Sequence, residues 1–303
     1  MDLKGLIAAT VTPMNSKLEV DEASLRRYLS WLVTEGVAGI AVNVDTGEGP
    51  HLFPEERLRV LQIALEEVGD RTTVVAGLGA SFTEQAVRIA RETASVGPDA
   101  LLVFPISAYQ GEPLDPEIPV RYHAAIAEAS GLPLIAFQLQ PALGGVILPP
   151  EAMRSLLSLD QVVALKEASF DARRFALTAS LIRSLPDPPV LLNGNDNFLL
   201  EAYLLGAEGA LLGFGTVAAD QQVAMLEALR AGDLQKAKDI GRRVQALCDA
   251  VFAQPVRDYR ARLKYILWRL SIIDDPIVRP PLLPLSEDEQ GRVDVAMKEA
   301  NLL

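Results

Sequence analysis

The stretch Val162-Val163-Ala164-Leu165-Lys166-Glu167-Ala168 places a lysine at the end of an apolar run. A lysine held among apolar side chains loses part of its preference for the charged form, and the neutral amine adds to carbonyl carbons to give a Schiff base. In a strand the side chains alternate, so Ala164 and Ala168 share the face of Lys166 and leave room for a long side chain. The competing reading is a lysine that snorkels from a strand end or pairs with a structural carboxylate. A second stretch, Asp45-Thr46-Gly47-Glu48, offers a hydroxyl and two amides that converge on one anion, because glycine permits the necessary turn. That suits a small carboxylate, with Glu48 reading as a buttress for the next segment. His51 and His123 are the only histidines and Cys248 the only cysteine, which argues against a zinc site. Asp45, Asn195 and Asp196 carry oxygen donors of the kind magnesium takes, but no metal is expected.

The elements that must position these residues follow from eight apolar, β-rich runs: 6–11, 39–44, 73–79, 100–105, 134–140, 162–168, 190–194 and 209–215. Continuous apolar runs mark parallel strands covered on both faces. Between them lie helical patterns. Pro54-Glu55-Glu56 opens one that Gly69 closes, Ser81 with Glu84 forms a capping-box pattern, and Asp21, Pro150, Asp171, Asn197 and Asp220 mark further starts. Eight such units predict a (β/α)8 barrel over residues 1–231. Residues 232–303 then read as a C-terminal helical domain with helices over 234–253, 255–273 and 286–301. An open doubly wound sheet is the runner-up, but no G-x-G-x-x-G follows the first run. In a barrel, Lys166 sits at the C-terminal mouth, where barrel enzymes carry their sites. Gly213-Phe214-Gly215-Thr216, at the end of the eighth run, is read as pocket wall.

Composition excludes several partners. A net charge of −12 repels nucleic acid and anionic membrane surfaces. No run approaches the roughly 18 apolar residues of a membrane span, and the N-terminus has no leader pattern. The lone cysteine fits a reducing cytoplasm.

Along almost its whole length the chain resembles the dihydrodipicolinate synthase and N-acetylneuraminate lyase family of class I aldolases. AATVTPM (8–14), DTGE (45–48), VAGLG (75–79), LKEAS (165–169) and NGND (193–196) carry the likeness in this order. The resemblance implies an iminium between Lys166 and pyruvate or a similar 2-oxo acid, with no cofactor, in a homodimer or homotetramer. It also implies that Thr46 and Gly47 bind the carboxylate and that Asn193 and Gly213 belong to the pocket. The departures are at least as informative. Phe137 stands where the family has a strand-five tyrosine that relays protons, and Asp45 where it has that tyrosine's threonine partner. Only Tyr109 remains of a tyrosine pair after strand four, and Ala142 falls near the synthase's arginine for the aldehyde's carboxylate. Gln138 and Gln140 point to a hydroxylated or neutral second substrate. The lysine-biosynthetic reaction is therefore not expected. Two classes are carried: a Schiff-base lyase or aldolase with Lys166 and Asp45 catalytic and Thr46, Gly47, Phe137, Gln138, Asn193 and Gly213 binding substrate, or a weakly active 2-oxo acid or sugar-acid binding protein. An ionised Asp45 would repel a bound carboxylate, so it either keeps its proton or pairs with Lys166.

Overall fold

The computed structural model describes residue 1 and residues 3–303. Eight strands alternate with eight helices: β1 (Leu6–Ala9), α1 (Glu22–Thr34), β2 (Gly39–Val42), α2 (Pro54–Val68), β3 (Thr73–Leu78), α3 (Thr83–Ala94), β4 (Ala100–Val103) and α4 (Glu117–Ser130), then β5 (Leu134–Leu139), α5 (Pro150–Leu157), β6 (Val162–Ala168), α6 (Ala172–Arg183), β7 (Val190–Asn193), α7 (Leu199–Leu205), β8 (Gly209–Leu212) and α8 (Ala219–Arg230). The strands close into a barrel in chain order, all neighbours parallel, with β1 pairing β8. The predicted (β/α)8 architecture is what the chain adopts. Three helices follow, α9 (Leu234–Val251), α10 (Tyr259–Arg269) and α11 (Glu287–Glu299).

The core has two layers. Ile7, Ala41, Val75, Leu102, Ile135 and Leu211 fill the barrel interior, while a larger set packs strands against helices. In β6, Ala164 and Ala168 belong to the inner layer and Leu165 to the outer. Lys166 pairs in register with Phe137, and Glu167 with Gln138.

Helix starts follow local chemistry. Asp21 caps α1 by accepting from Ser24 N, and Asp171 caps α6 by accepting from Arg173 N and Arg174 N. Ser81 does not cap α3: the helix begins at Thr83, and Ser81 N donates instead to Gln85 Oε1 at 2.8 Å. Asn197 and Asp220 are not caps either, because the helices begin after Phe198 and Ala218. Among the described residues no helix is long and apolar enough to cross a membrane.

Candidate active site

The C-terminal ends of the strands bring one pocket together around Lys166. The lysine is 8% exposed, and its Nζ lies 4.3 Å from the Phe137 ring centroid. Its stem passes Gly194, where any Cβ would stand 2.8 Å from Lys166 Cε, so the turn after β7 must be glycine for the lysine to lie as it does. Burial pushes the ammonium down to about 8, against the charges of Asp196 and Asp45, which pull it up. Asp196 faces the same pocket. Burial lifts its carboxyl to about 7, opposed by a hydrogen bond from Phe214 N (3.1 Å) and by Lys166. Its backbone carbonyl accepts from Gln245 Nε2 at 2.9 Å and Cys248 Sγ at 3.0 Å, so α9 fixes the turn from behind.

The loop after β2 forms the second wall. Thr46 is buried, and Gly47 lies so close to the first strand's loop that a Cβ would stand 2.8 Å from Thr10 O. Thr12 Oγ1 donates to Gly47 O at 2.8 Å and holds the turn. Gly213 lines the pocket beside Thr46 and Tyr259. Glu48 takes the buttress role. It is fully buried and pairs with the equally buried Lys264 of α10, while its other oxygen accepts from Arg279 N at 2.8 Å.

Asp45 is held from the C-terminal helices, by Arg260 and Tyr259. Arg260 Nη2 lies 2.5 Å from its Oδ1, and Tyr259 Oη donates to its Oδ2 at 2.7 Å. Arg260 Nε also donates to Asp45 O at 2.7 Å. The Tyr259 ring stacks on Phe252 with centroids 4.8 Å apart, and the Arg260 guanidinium carbon lies 4.8 Å from the centroid of the same Tyr259 ring. Burial first, and then the charge of Asp45, raises the phenol well above its ordinary value, so it stays protonated.

Lys166, Asp45, Thr46, Phe137 and Gly213 thus line one pocket, with Gly47 closing the turn behind Thr46. Gln138 and Asn193 do not join them. Strand alternation sends Gln138 into the helix layer, where its amide donates to Glu167 Oε1 and its carbonyl accepts from Leu148 N, both at 3.0 Å. Asn193 Oδ1 accepts from Asn195 N at 2.9 Å and shapes the turn. Tyr109 is buried and packs edge-on against Tyr122 of α4, away from the pocket. Asn195 Nδ2 donates to Glu167, leaving Asp45 and Asp196 without it as a shared ligand set. Sequence reasoning gave no catalytic part to Asp196, Tyr259 or Arg260. The NGND turn was a signal for Asp196, whereas nothing in the helical pattern of 255–273 marks Tyr259 or Arg260 as pocket residues.

The arrangement holds an amine lowered to about 8, a carboxyl raised to about 7 and a phenol that stays protonated, beside the tight turn of Thr46 and Gly47. Comparison with known proteins adds a family. The family profile described as "Dihydrodipicolinate synthetase family" matches residues 2–300. A 4-hydroxy-tetrahydrodipicolinate synthase of Acidiphilium cryptum is 32% identical over 99% of each chain. The crystal structure of dihydrodipicolinate synthase from Thermotoga maritima superposes with a TM-score of 0.89 at 26% identity, covering 99% of each chain. N-acetylneuraminate lyase from Fusobacterium nucleatum, at 22% identity over 98% of each chain and a TM-score of 0.85, shares the fold.

Proposed function

The chain belongs to the dihydrodipicolinate synthetase family, and from that premise we propose that it is a lyase of the class I aldolase type acting on pyruvate or a similar 2-oxo acid through a Schiff base on Lys166. The observation that carries this reading is the buried Lys166 amine, lowered to about 8, beside the turn of Thr46 and Gly47. The substrate's carboxylate takes the Thr46 hydroxyl and the amides of the turn, which points its ketone carbon at Nζ. As the nitrogen–carbon bond forms, two hydrogens leave nitrogen and end on the departing oxygen as water. Tyr259 Oη, held on Asp45, gives and regains a proton at each transfer, so the pair ends as it began. Asp45 is kept at this task by Arg260, which offsets its repulsion of the substrate.

The second substrate differs from a carboxylate-bearing aldehyde. Among the described residues lining the pocket Lys166 is the only cation, and Arg260 is engaged by Asp45. Condensation of pyruvate with aspartate semialdehyde is therefore expected to be slow. The test is borohydride reduction in the presence of pyruvate, followed by intact-protein mass spectrometry. One adduct per chain is expected, absent in Lys166→Ala. The same adduct on the variant would place the chemistry elsewhere, and an adduct without turnover of any aldehyde or hydroxy-oxo acid would make the chain a binding protein.

A further inference from the structure

Phe170, two residues beyond β6, stands in the left-handed region with φ 60°. A bulky side chain is a rare occupant there, and such strain persists only where the surroundings impose it. Here two asparagines impose it. Phe170 N donates to Asn195 Oδ1 at 2.6 Å, and Asn197 Nδ2 donates to Phe170 O at 3.1 Å. Asn195 is itself fixed by Glu167, whose carboxylate and backbone carbonyl accept from its Nδ2 at 2.9 and 2.7 Å. Glycine or asparagine would take this backbone at little cost. The strained position instead carries a half-buried ring that lines the Lys166 pocket and packs on the apolar layer of the barrel interior.

The ring has company of one chemical kind. Leu143 and Phe252, also half-buried, line the same pocket, with Phe137 and Leu139 deeper inside. Besides Lys166 and Asp196, the polar side chains of the pocket are Asp45, Thr46 and Tyr259; the Tyr259 hydroxyl is engaged by Asp45 and Thr46, and its ring stacks on Phe252. Gln138, the side chain that pointed to a hydroxylated partner, faces the helix layer.

We infer that Phe170 is a specificity-determining residue and that the second substrate is an aldehyde carrying an aromatic group, in place of a polyol or a carboxylate. This rests on the Schiff-base reading above. In the condensation direction the iminium of pyruvate loses a proton from C3 to give the enamine. C3 then bonds to the aldehyde carbon while the carbonyl electron pair moves to oxygen, which takes up one proton. Water hydrolyses the new iminium, releasing a 4-aryl-4-hydroxy-2-oxo acid and the Lys166 amine. Protons balance, and no oxidant or further reactant enters.

The experiment measures kcat/KM for condensation of pyruvate with benzaldehyde, glyceraldehyde and succinic semialdehyde by the full chain, alongside borohydride trapping. The expected result is a preference of at least about tenfold for benzaldehyde, within the range apolar pockets provide. Phe170→Gly and Phe170→Asn both tolerate the backbone and remove the ring. In each, the benzaldehyde-to-glyceraldehyde ratio should fall at least about tenfold. A chain that traps pyruvate on Lys166 yet uses glyceraldehyde or succinic semialdehyde as well as benzaldehyde overturns this inference alone. An unchanged ratio in both Phe170 variants also overturns it. Absence of any Lys166 adduct would instead sink the Schiff-base reading on which it stands.

Discussion

The ionisation of Lys166 gives the sharpest test of the site. A folded value lowered to about 8 from the ordinary 10.5 favours the neutral amine, which predominates above pH 8 and is lost as pH falls through it. At pH 7 roughly one lysine in eleven is then neutral, compared with about one in three thousand for a solvated lysine, a gain of about 300-fold in nucleophile. Adduct formation with saturating pyruvate, sampled at timed intervals by borohydride quench and read by intact mass, should rise about tenfold per pH unit below 7 and level off above 8 to 9. Asp196→Asn sharpens the test, because the asparagine carbonyl still accepts from Phe214 N while the carboxylate that pulls the lysine up is gone. Its midpoint should move to lower pH. A rate still climbing tenfold per unit through pH 10 would refute the buried-amine argument. A midpoint that stays or rises in Asp196→Asn would refute the coupling between the two groups.

Two further outcomes follow from contacts with the C-terminal helices. Glu48→Gln leaves the fully buried Lys264 facing a neutral amide, and breaking such a pair costs about 3–5 kcal/mol in urea unfolding, with part recovered in Glu48→Gln/Lys264→Met; a loss below about 1 kcal/mol would deny the pair its structural role. Tyr259→Phe keeps the ring stacked on Phe252 but removes the hydroxyl on Asp45, and should slow Lys166 adduct formation by about 10² to 10⁴ with little change in the pyruvate concentration that saturates it. An unaltered rate would remove Tyr259 from the proton path.

The barrel was legible because its signals are local and repeated. Each strand, being covered on both faces, is a continuous apolar run, and β6 begins and ends where VVALKEA does. Lys166 stood out as the one hydrated cation in such a run. Alternation along β5 carried a warning against pairing Phe137 with Gln138, since adjacent strand residues face opposite layers. The turn residues were harder to read. Asn193, Asn195 and Asn197 look alike in sequence, yet one shapes the turn, one clamps Glu167 to Phe170, and one holds the Phe170 carbonyl. Only their spatial neighbours tell these roles apart.

The least legible part of the site is the part that crosses the chain. Tyr259 and Arg260 lie more than two hundred residues beyond Asp45, in a helix whose amphipathic pattern says only that it packs. Within the barrel alone, Asp45 would be a bare carboxylate beside a turn meant for another, and two unit charges about 4 Å apart repel by roughly 4 kcal/mol at an effective dielectric of 20. Arg260 pairs with Asp45, which under the proposed reading offsets that repulsion, and the same carboxylate anchors the Tyr259 phenol at the pocket wall. Under the proposed Schiff-base reading, the hydroxyl that strand five lacks at Phe137 comes instead from Tyr259, which is held on Asp45 at the same pocket. Arg262 seats that helix by donating to Val251 O at 2.9 Å, the last residue of α9, and to Ala253 O at 2.7 Å, two residues beyond it. The helices after the barrel thus complete the site as well as covering apolar surface.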